Sequence, residues 1–411
     1  MRHSSALLLS NLHCCRRRIA DHTFPRTPTL RPGTQRGFEI PSHEYEVGLH
    51  KYDLDTPALL IDLPAMEKNL RVMAEFFKGT GVNLRPHVKL HKATPILARM
   101  QVEAGGVGLT CAKLSEAELL AASGFKDILI ANEIAGQRKI ERLVNLTAYT
   151  DVMVAVDNYQ NLKQLSEAAQ ARGVELRVLV EVNIGHDRCG VDPFQPTLDL
   201  SRAVHEAPGL KYAGLMGYDG HCTLRVTAAE REECARQANR LLVETRRFIE
   251  DAGLEVGIVS ASGTFTYRYA GQIEGITEIQ AGTYLFSDTA FRDAGVEEFD
   301  CALTVLATVS SRPGWVGGEG LAILDIGRKT IDTFLGLPEV KCPEGATLIG
   351  LSQEHGRMKV TGPARSLRPG DKVEVWVRDA NGTINLYDHF YAIRDDIVEA
   401  VWDIPGRGRS T

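Results

Sequence analysis

The feature that most constrains this chain is a beat of short apolar runs and longer helical stretches that counts to eight. The runs are 82–88, 107–110, 128–131, 152–156, 176–182, 212–216, 256–260 and 276–279. Between most of them apolar residues recur with helical spacing, as in 115–122, 160–171 and 228–252. Such alternation makes consecutive strands parallel, because each helix carries the chain back to the start of the next strand. Eight units predict a TIM-type (β/α)8 barrel over 63–290, with functional residues just after the strands. A doubly wound sheet accommodates the same beat if a strand is miscounted. The connection 261–275 is short, and only a turn or two of helix is expected there.

After residue 283 the helical period fades. Runs at 303–309, 320–325, 348–351, 358–360, 372–377 and 391–393 read as strands separated by Gly, Pro, Asn and Asp. Arg368-Pro369-Gly370-Asp371 is a strong turn signal. The reading is therefore a C-terminal β domain over 291–408, joined by the strand-like stretch within 41–62. Residues 1–40 carry Arg2, Arg16, Arg17, Arg18, Arg26, Arg31 and Arg36 against Asp21 and Glu39, with three prolines among them. They predict a disordered leader outside the fold. The location expected is cytoplasmic, or mitochondrial if this Arg-rich, acid-poor segment is a transit peptide.

A formal net charge of −6 leaves no basic excess to displace counterions from phosphates, which argues against nucleic acid as a partner. No apolar run approaches the roughly 18 residues that a membrane span needs. The eight cysteines are scattered, with no C-x-x-C pair, and neither a disulfide framework nor a cysteine zinc module is expected.

The strand ends are polar. The first run leads into Arg85-Pro86-His87-Val88-Lys89-Leu90-His91-Lys92. A lysine at a barrel mouth loses proton affinity on desolvation, and its amine becomes a nucleophile near neutrality, as a Schiff base with pyridoxal phosphate requires. His87 and His91 have the spacing of a metal pair, but imidazoles lining a polar pocket is the preferred reading. Asn132-Glu133, Asp157-Asn158 and a stretch from Glu181 through Arg188 to Gly190 follow the third, fourth and fifth runs. The seventh and eighth end in Ser262-Gly263-Thr264 and Gly282-Thr283-Tyr284, small turns whose backbone N–H groups can cradle a phosphate.

Taken together, Thr56-Pro57-Ala58-Leu59-Leu60-Ile61-Asp62, the Arg85–Lys92 motif, Tyr218-Asp219-Gly220-His221 and Ser262-Gly263-Thr264 resemble the D-threonine aldolase and D-serine dehydratase family. So do Asn385-Leu386-Tyr387-Asp388 and Val398-Glu399-Ala400-Val401-Trp402. The resemblance spans roughly residues 50 to 408. It implies an alanine racemase-like architecture of PLP fold type III, usually a homodimer with sites near the interface. It makes Lys89 the Schiff-base lysine and Arg188 a polar partner of the cofactor ring. Tyr218 and His221 are expected near the ring or substrate. Ser262, Gly263, Thr264, Gly282, Thr283 and Tyr284 are expected around the phosphate or pyridine end. His87, His91 and His221 are the candidate bases.

One departure matters. The family carries a His-Cys-Asp or His-x-Cys pattern before its Asn-Leu-Tyr-Asp segment, and two of those residues hold a divalent metal. Here the aligned residues are Asp379-Ala380-Asn381-Gly382-Thr383, which also read as a hairpin turn. Asp379 and Asn381 are oxygen donors suited at most to weakly held Mg²⁺ or Mn²⁺. The leading expectation is a lyase that cleaves a D-threonine-type substrate to glycine and an aldehyde. A D-serine or D-hydroxyaspartate dehydratase, a metal-independent racemase and a non-catalytic cofactor-binding protein are the alternatives.

Overall fold

The computed structural model describes residues 43–411 except 225, 226, 316, 318 and 319. The leader lies outside the described residues. The chain forms two compact units. One comprises 64–302, 380–388 and 403–411, and the other comprises the chain up to Leu63, 303–379 and 389–402. The first described strand, β1 (Ala58–Asp62), belongs to the second unit and runs into helix α1 (Leu63–Phe77).

In the larger unit the alternation becomes β2 (Asn83–Leu84), α2 (Pro95–Glu103), β3 (Leu109–Cys111), α3 (Leu114–Ala122), β4 (Asp127–Glu133) and α4 (Gln137–Leu146). It continues with β5 (Asp151–Val156), α5 (Tyr159–Arg172), β6 (Leu176–Glu181), α6 (Gln195–Glu206), β7 (Leu210–Gly217) and α7 (Ala228–Asp251). β8 (Ile258–Ala261), the four-residue α8 (Tyr267–Ala270) and β9 (Glu278–Ile279) complete it. The sheet order is β2-β9-β8-β7-β6-β5-β4-β3, and every pairing is parallel. Single bridges Leu84↔Gly106 and His87↔Thr110 join its two ends. The result is the TIM-like sheet of eight parallel strands that the sequence predicts.

Local chemistry sets these elements. Asn158 accepts the Asn161 N–H (2.8 Å) as the cap of α5, and Gly173 ends that helix in the left-handed region (φ 68°). Thr227 and Glu230 form a capping box on α7. Leu129, Met153, Ala155, Leu179 and Met216, from β4 to β7, pack into one buried cluster. Arg85 is buried beside two acids. Its Nε donates to both Glu278 carboxylate oxygens (2.9 Å each), and its Nη1 to Asp127 (2.7 Å). Cys222, in the 3-10 turn after β7, forms a disulfide with Cys234 on α7. This corrects the expectation from spacing: the fold returns α7 to the exit of β7, which eleven intervening residues do not announce.

The other unit is a mixed sheet in the order β13-β14-β11-β10-β1-β16-β17. Its strands are β10 (Leu303–Ser311), β11 (Leu321–Leu324), β12 (Val340–Cys342), β13 (Ala346–Leu351), β14 (Gly356–Val360), β15 (Lys372–Trp376), β16 (His389–Arg394) and β17 (Ile397–Asp403). β15 pairs with β10 and β12, while β1 runs antiparallel to β10 and parallel to β16. Leu54, Ala58, Leu60, Leu306, Tyr391, Ile393 and Val398 make its core. The Asp379–Thr383 stretch is no hairpin turn. Ala380 opens a short helix, α9 (Ala380–Ile384), and its N–H donates to Asp288 Oδ2 (3.1 Å).

Candidate active site

β2 stops at Leu84, and the lysine motif runs on without regular structure. Pro86 has no N–H to give a ladder, so neighbouring strands fix the segment. The His87 N–H donates to Ala281 O (3.0 Å), the Val88 N–H to Thr110 O (2.8 Å) and the Thr110 N–H to Pro86 O (2.8 Å). Positive φ at Lys92 (56°) and Ala93 (53°) then turns the chain sharply. Lys89 is left at the wall of a cavity of about 440 Å³. Burial first, then the Arg188 guanidinium, lowers the proton affinity of its amine.

The histidines of the motif differ in role. His87 lines the cavity, and its Nδ1 accepts the Lys89 N–H (3.3 Å), which leaves the ring proton on Nε2. Burial holds it well below the usual imidazole range. His91 is fully buried. Its Nδ1 accepts the Thr94 N–H (3.1 Å), and its Nε2 meets Gln101 Oε1 (3.0 Å). Burial pushes it down to about 4. Gln101 Nε2 also donates to the Tyr284 hydroxyl (3.2 Å). His91, Gln101 and Tyr284 therefore back the lysine loop, and neither His91 nor Tyr284 lines the cavity.

Across the cavity stands Tyr218, flanked by two cations. Lys89 Nζ lies 5.9 Å and Arg188 Cζ 5.2 Å from its ring centroid. Ser262, Gly263, Thr264, Gly282, Thr283 and Asn381 also line the space. Thr264 Oγ1 accepts the Gly282 and Tyr284 N–H groups (3.2 Å each), so the two late turns are one piece. A Cβ on Gly282 would sit 2.2 Å from His87 O, which explains a glycine there. His221 lies outside this cavity. It stacks on His186 (6.1 Å), whose ring meets Tyr218 edge-on (5.4 Å). Asp379 is buried.

Several working residues escaped the sequence reading. Asp219 is completely buried and accepts from Ser262 Oγ (2.6 Å), Asn239 Nδ2 (2.9 Å) and Thr266 Oγ1 (3.0 Å). It thereby fixes the first of the two turns, and the Ser262 hydroxyl is committed to it. Glu116, at the third position of α3, accepts the N–H groups of Ala112 (2.8 Å) and Lys113 (3.1 Å). No motif marks Asn239 or Glu116. Asp219 was visible only as a letter between Tyr218 and Gly220.

The donor set fits pyridoxal phosphate: one buried amine, one guanidinium, an aromatic wall and two linked Gly/Thr turns in a cavity of ligand size. It does not fit a nitrogen-preferring metal, because Asp379 and Asn381 offer oxygen alone.

Residues 61–290 match the family described as "Alanine racemase, N-terminal domain", and residues 302–393 match "Putative serine dehydratase domain". The chain is 35% identical to the D-threonine aldolase of Arthrobacter sp. over 84% of its own length and 90% of that protein. It is 33% identical to the 3-hydroxy-D-aspartate aldolase of Paracoccus denitrificans, with the same two coverages. The crystal structure of D-threonine aldolase from Filomicrobium marinum superposes with a TM-score of 0.83 at 36% identity, covering 88% of this chain and 98% of that one. D-threo-3-hydroxyaspartate dehydratase from Delftia sp. HT23 superposes at 0.78 with 28% identity, covering 86% and 98%. A buried lysine loop on an alanine racemase-type barrel, with these relatives across both units, places the chain in the D-threonine aldolase and D-serine dehydratase family.

Proposed function

We propose that the protein is a pyridoxal phosphate-dependent lyase that cleaves D-β-hydroxy amino acids of the D-threonine type into glycine and an aldehyde. The observation that carries this is the buried Lys89 amine facing Arg188, Tyr218 and the two linked turns, in a chain whose relatives include two aldolases. In such a cleavage the β-hydroxyl gives up its proton, the Cα–Cβ bond breaks and Cα takes a proton to become glycine. Pyridoxal phosphate, when bound, supplies the sink for the electron pair left on Cα.

The chain's own residues do the rest. Burial, and then the Arg188 guanidinium, makes the Lys89 amine easier to deprotonate. Gly263, Thr264 and Thr283 offer the hydroxyls and backbone N–H groups that would hold a phosphate, and Arg188 would meet the cofactor ring. His87 and His91 are committed to framing the lysine loop and His221 lies outside the cavity, so no imidazole is assigned as the proton acceptor for the β-hydroxyl. No step is assigned to a metal. Any cation at Asp379 or Asn381 is expected to be weakly held Mg²⁺ or Mn²⁺. The reading includes a homodimer, on the family's pattern, acting in the cytoplasm. Among the described residues no helix is long and apolar enough to cross a membrane.

The test is product analysis of the holoenzyme with D-threonine, D-3-hydroxyaspartate, D-serine and D-alanine, each with and without added Mn²⁺. Glycine plus an aldehyde is expected. Ammonia with a 2-oxo acid would make the protein a dehydratase, and an L-enantiomer without cleavage would make it a racemase.

A further inference from the structure

Behind Arg188 lies a group of side chains that the proposed reaction does not use. Glu181 ends β6 and is almost wholly buried, with its side chain 5% exposed. Glu133 ends β4, two strands away. The Glu133 and Glu181 carboxylates and the Cys189 sulfur offer atoms that all lie within 4.8 Å of one another. Arg188 Nη2 reaches Glu181 Oε1 at 3.8 Å, while its guanidinium lies over the Tyr218 ring. Glu133 Oε1 is buried, and no donor among the described residues meets it.

Two facing carboxylates cannot both stay ionised in such a place without a counter-charge for each. The neighbours do not supply two. Among the described residues Arg188 is the cation that lowers Glu181, whereas Glu133 and Asp157, beyond β5, both add negative charge. The Cys189 thiol is pushed up to about 11, first by burial and then by the two glutamates, so it stays protonated and neutral. A proton held between the carboxyls removes one charge and gives Glu133 Oε1 the donor it lacks. Burial, followed by Glu133, raises Glu181 to about 8, in keeping with this.

We propose that Glu133 and Glu181 share one proton and act as a positioning pair that sets how strongly Arg188 is drawn away from the cofactor ring. With the proton in place the pair carries a single negative charge, balanced by Arg188. Once it leaves, two negative charges face one guanidinium, which turns toward them and away from the cavity. The inference rests on the reading that Arg188 meets the ring.

The test compares wild-type holoenzyme with Glu181→Gln and Glu133→Gln. Both substitutions keep size and a hydrogen-bonding group, and melting curves confirm folding. Infrared difference spectra of the wild type should lose a carboxylic-acid C=O band as pH rises through about 8, and Glu181→Gln should lack that band throughout. The visible absorbance of the bound cofactor should titrate with the same midpoint in the wild type and not in Glu181→Gln. In that variant kcat should stay level as pH rises through about 8, whereas wild type should lose about tenfold in kcat over the same rise while KM moves less than about threefold. Absence of the band in wild type overturns the shared proton. A band with no matching absorbance change overturns the positioning role. Arg188→Ala is the control for the underlying reading: unchanged cofactor absorbance there, with the infrared band intact, overturns the coupling because its recipient is missing.

Discussion

Lys89 shows what a single residue can be asked to do at this barrel mouth. Replacing it with alanine should abolish borohydride-trapped cofactor and the visible band. Trapping that persists in Lys89→Ala, at Lys92 or Lys113, would move the site. Asp219 works by a different route. Three donors converge on its carboxylate, and Asp219→Asn turns an NH₂ group toward at least one of them. The loss should be about 1.5–3 kcal/mol, the range for hydrogen bonds to a charged group. A lowered Tm and weaker cofactor binding would report it, because the Ser262 turn loses its anchor. The place of Lys89 at the cavity wall was legible from its motif. The Asp219 network was not, since its members come from the segment after β7, from α7 and from the segment after β8, and only the folded barrel brings them together.

At the scale of elements, the apolar runs at 128–131, 152–156, 176–182 and 212–216 fall on β4 to β7 within a few residues. Strands covered on both faces write near-continuous apolar stretches, which makes them readable. The run at 82–88 delivers only Asn83–Leu84 as strand, because Pro86 cannot donate and the motif bends to present Lys89. The turn-like Asp379-Ala380-Asn381-Gly382 opens a helix because Asp288 waits to accept the Ala380 N–H. That partner is distant in sequence and leaves no local trace. β7 carries an irregularity as well: Leu179 pairs with Gly214 after Val178 pairs with Tyr212, so Ala213 is the extra residue. Gly214 takes φ +140°, and a Cβ there would meet Ile258 O at 2.0 Å. Gly214→Ala should therefore cost about 3 kcal/mol or more, or prevent folding. An unchanged denaturation midpoint would show that β7 and β8 can part without penalty.

For the whole molecule, the Glu181 carboxyl ties stability to pH with a definite sign. Its folded value, about 8, lies above the ordinary 4.5. Its contribution is therefore complete below about 4.5 and is lost as pH rises through about 8. Glu181→Gln removes this dependence. Its unfolding free energy relative to wild type should become more favourable between pH about 5 and about 9, as denaturant titrations at the two pH values would measure. A difference that stays constant would mean the carboxyl titrates alike in both states. The division of the chain has its own consequence. The barrel unit is assembled from 64–302, 380–388 and 403–411. Ser115 donates its N–H to Thr411 O (3.0 Å) and its hydroxyl to Arg409 O (2.7 Å), and a Cβ on Gly406 would lie 1.8 Å from Lys92 O. During synthesis a ribosome therefore releases eight strands more than a hundred residues before the segment that closes against the lysine loop. Until then the nascent barrel has the Lys89 amine but not the support behind it, and a gene fragment cut at 302 would be held permanently in that half-built condition.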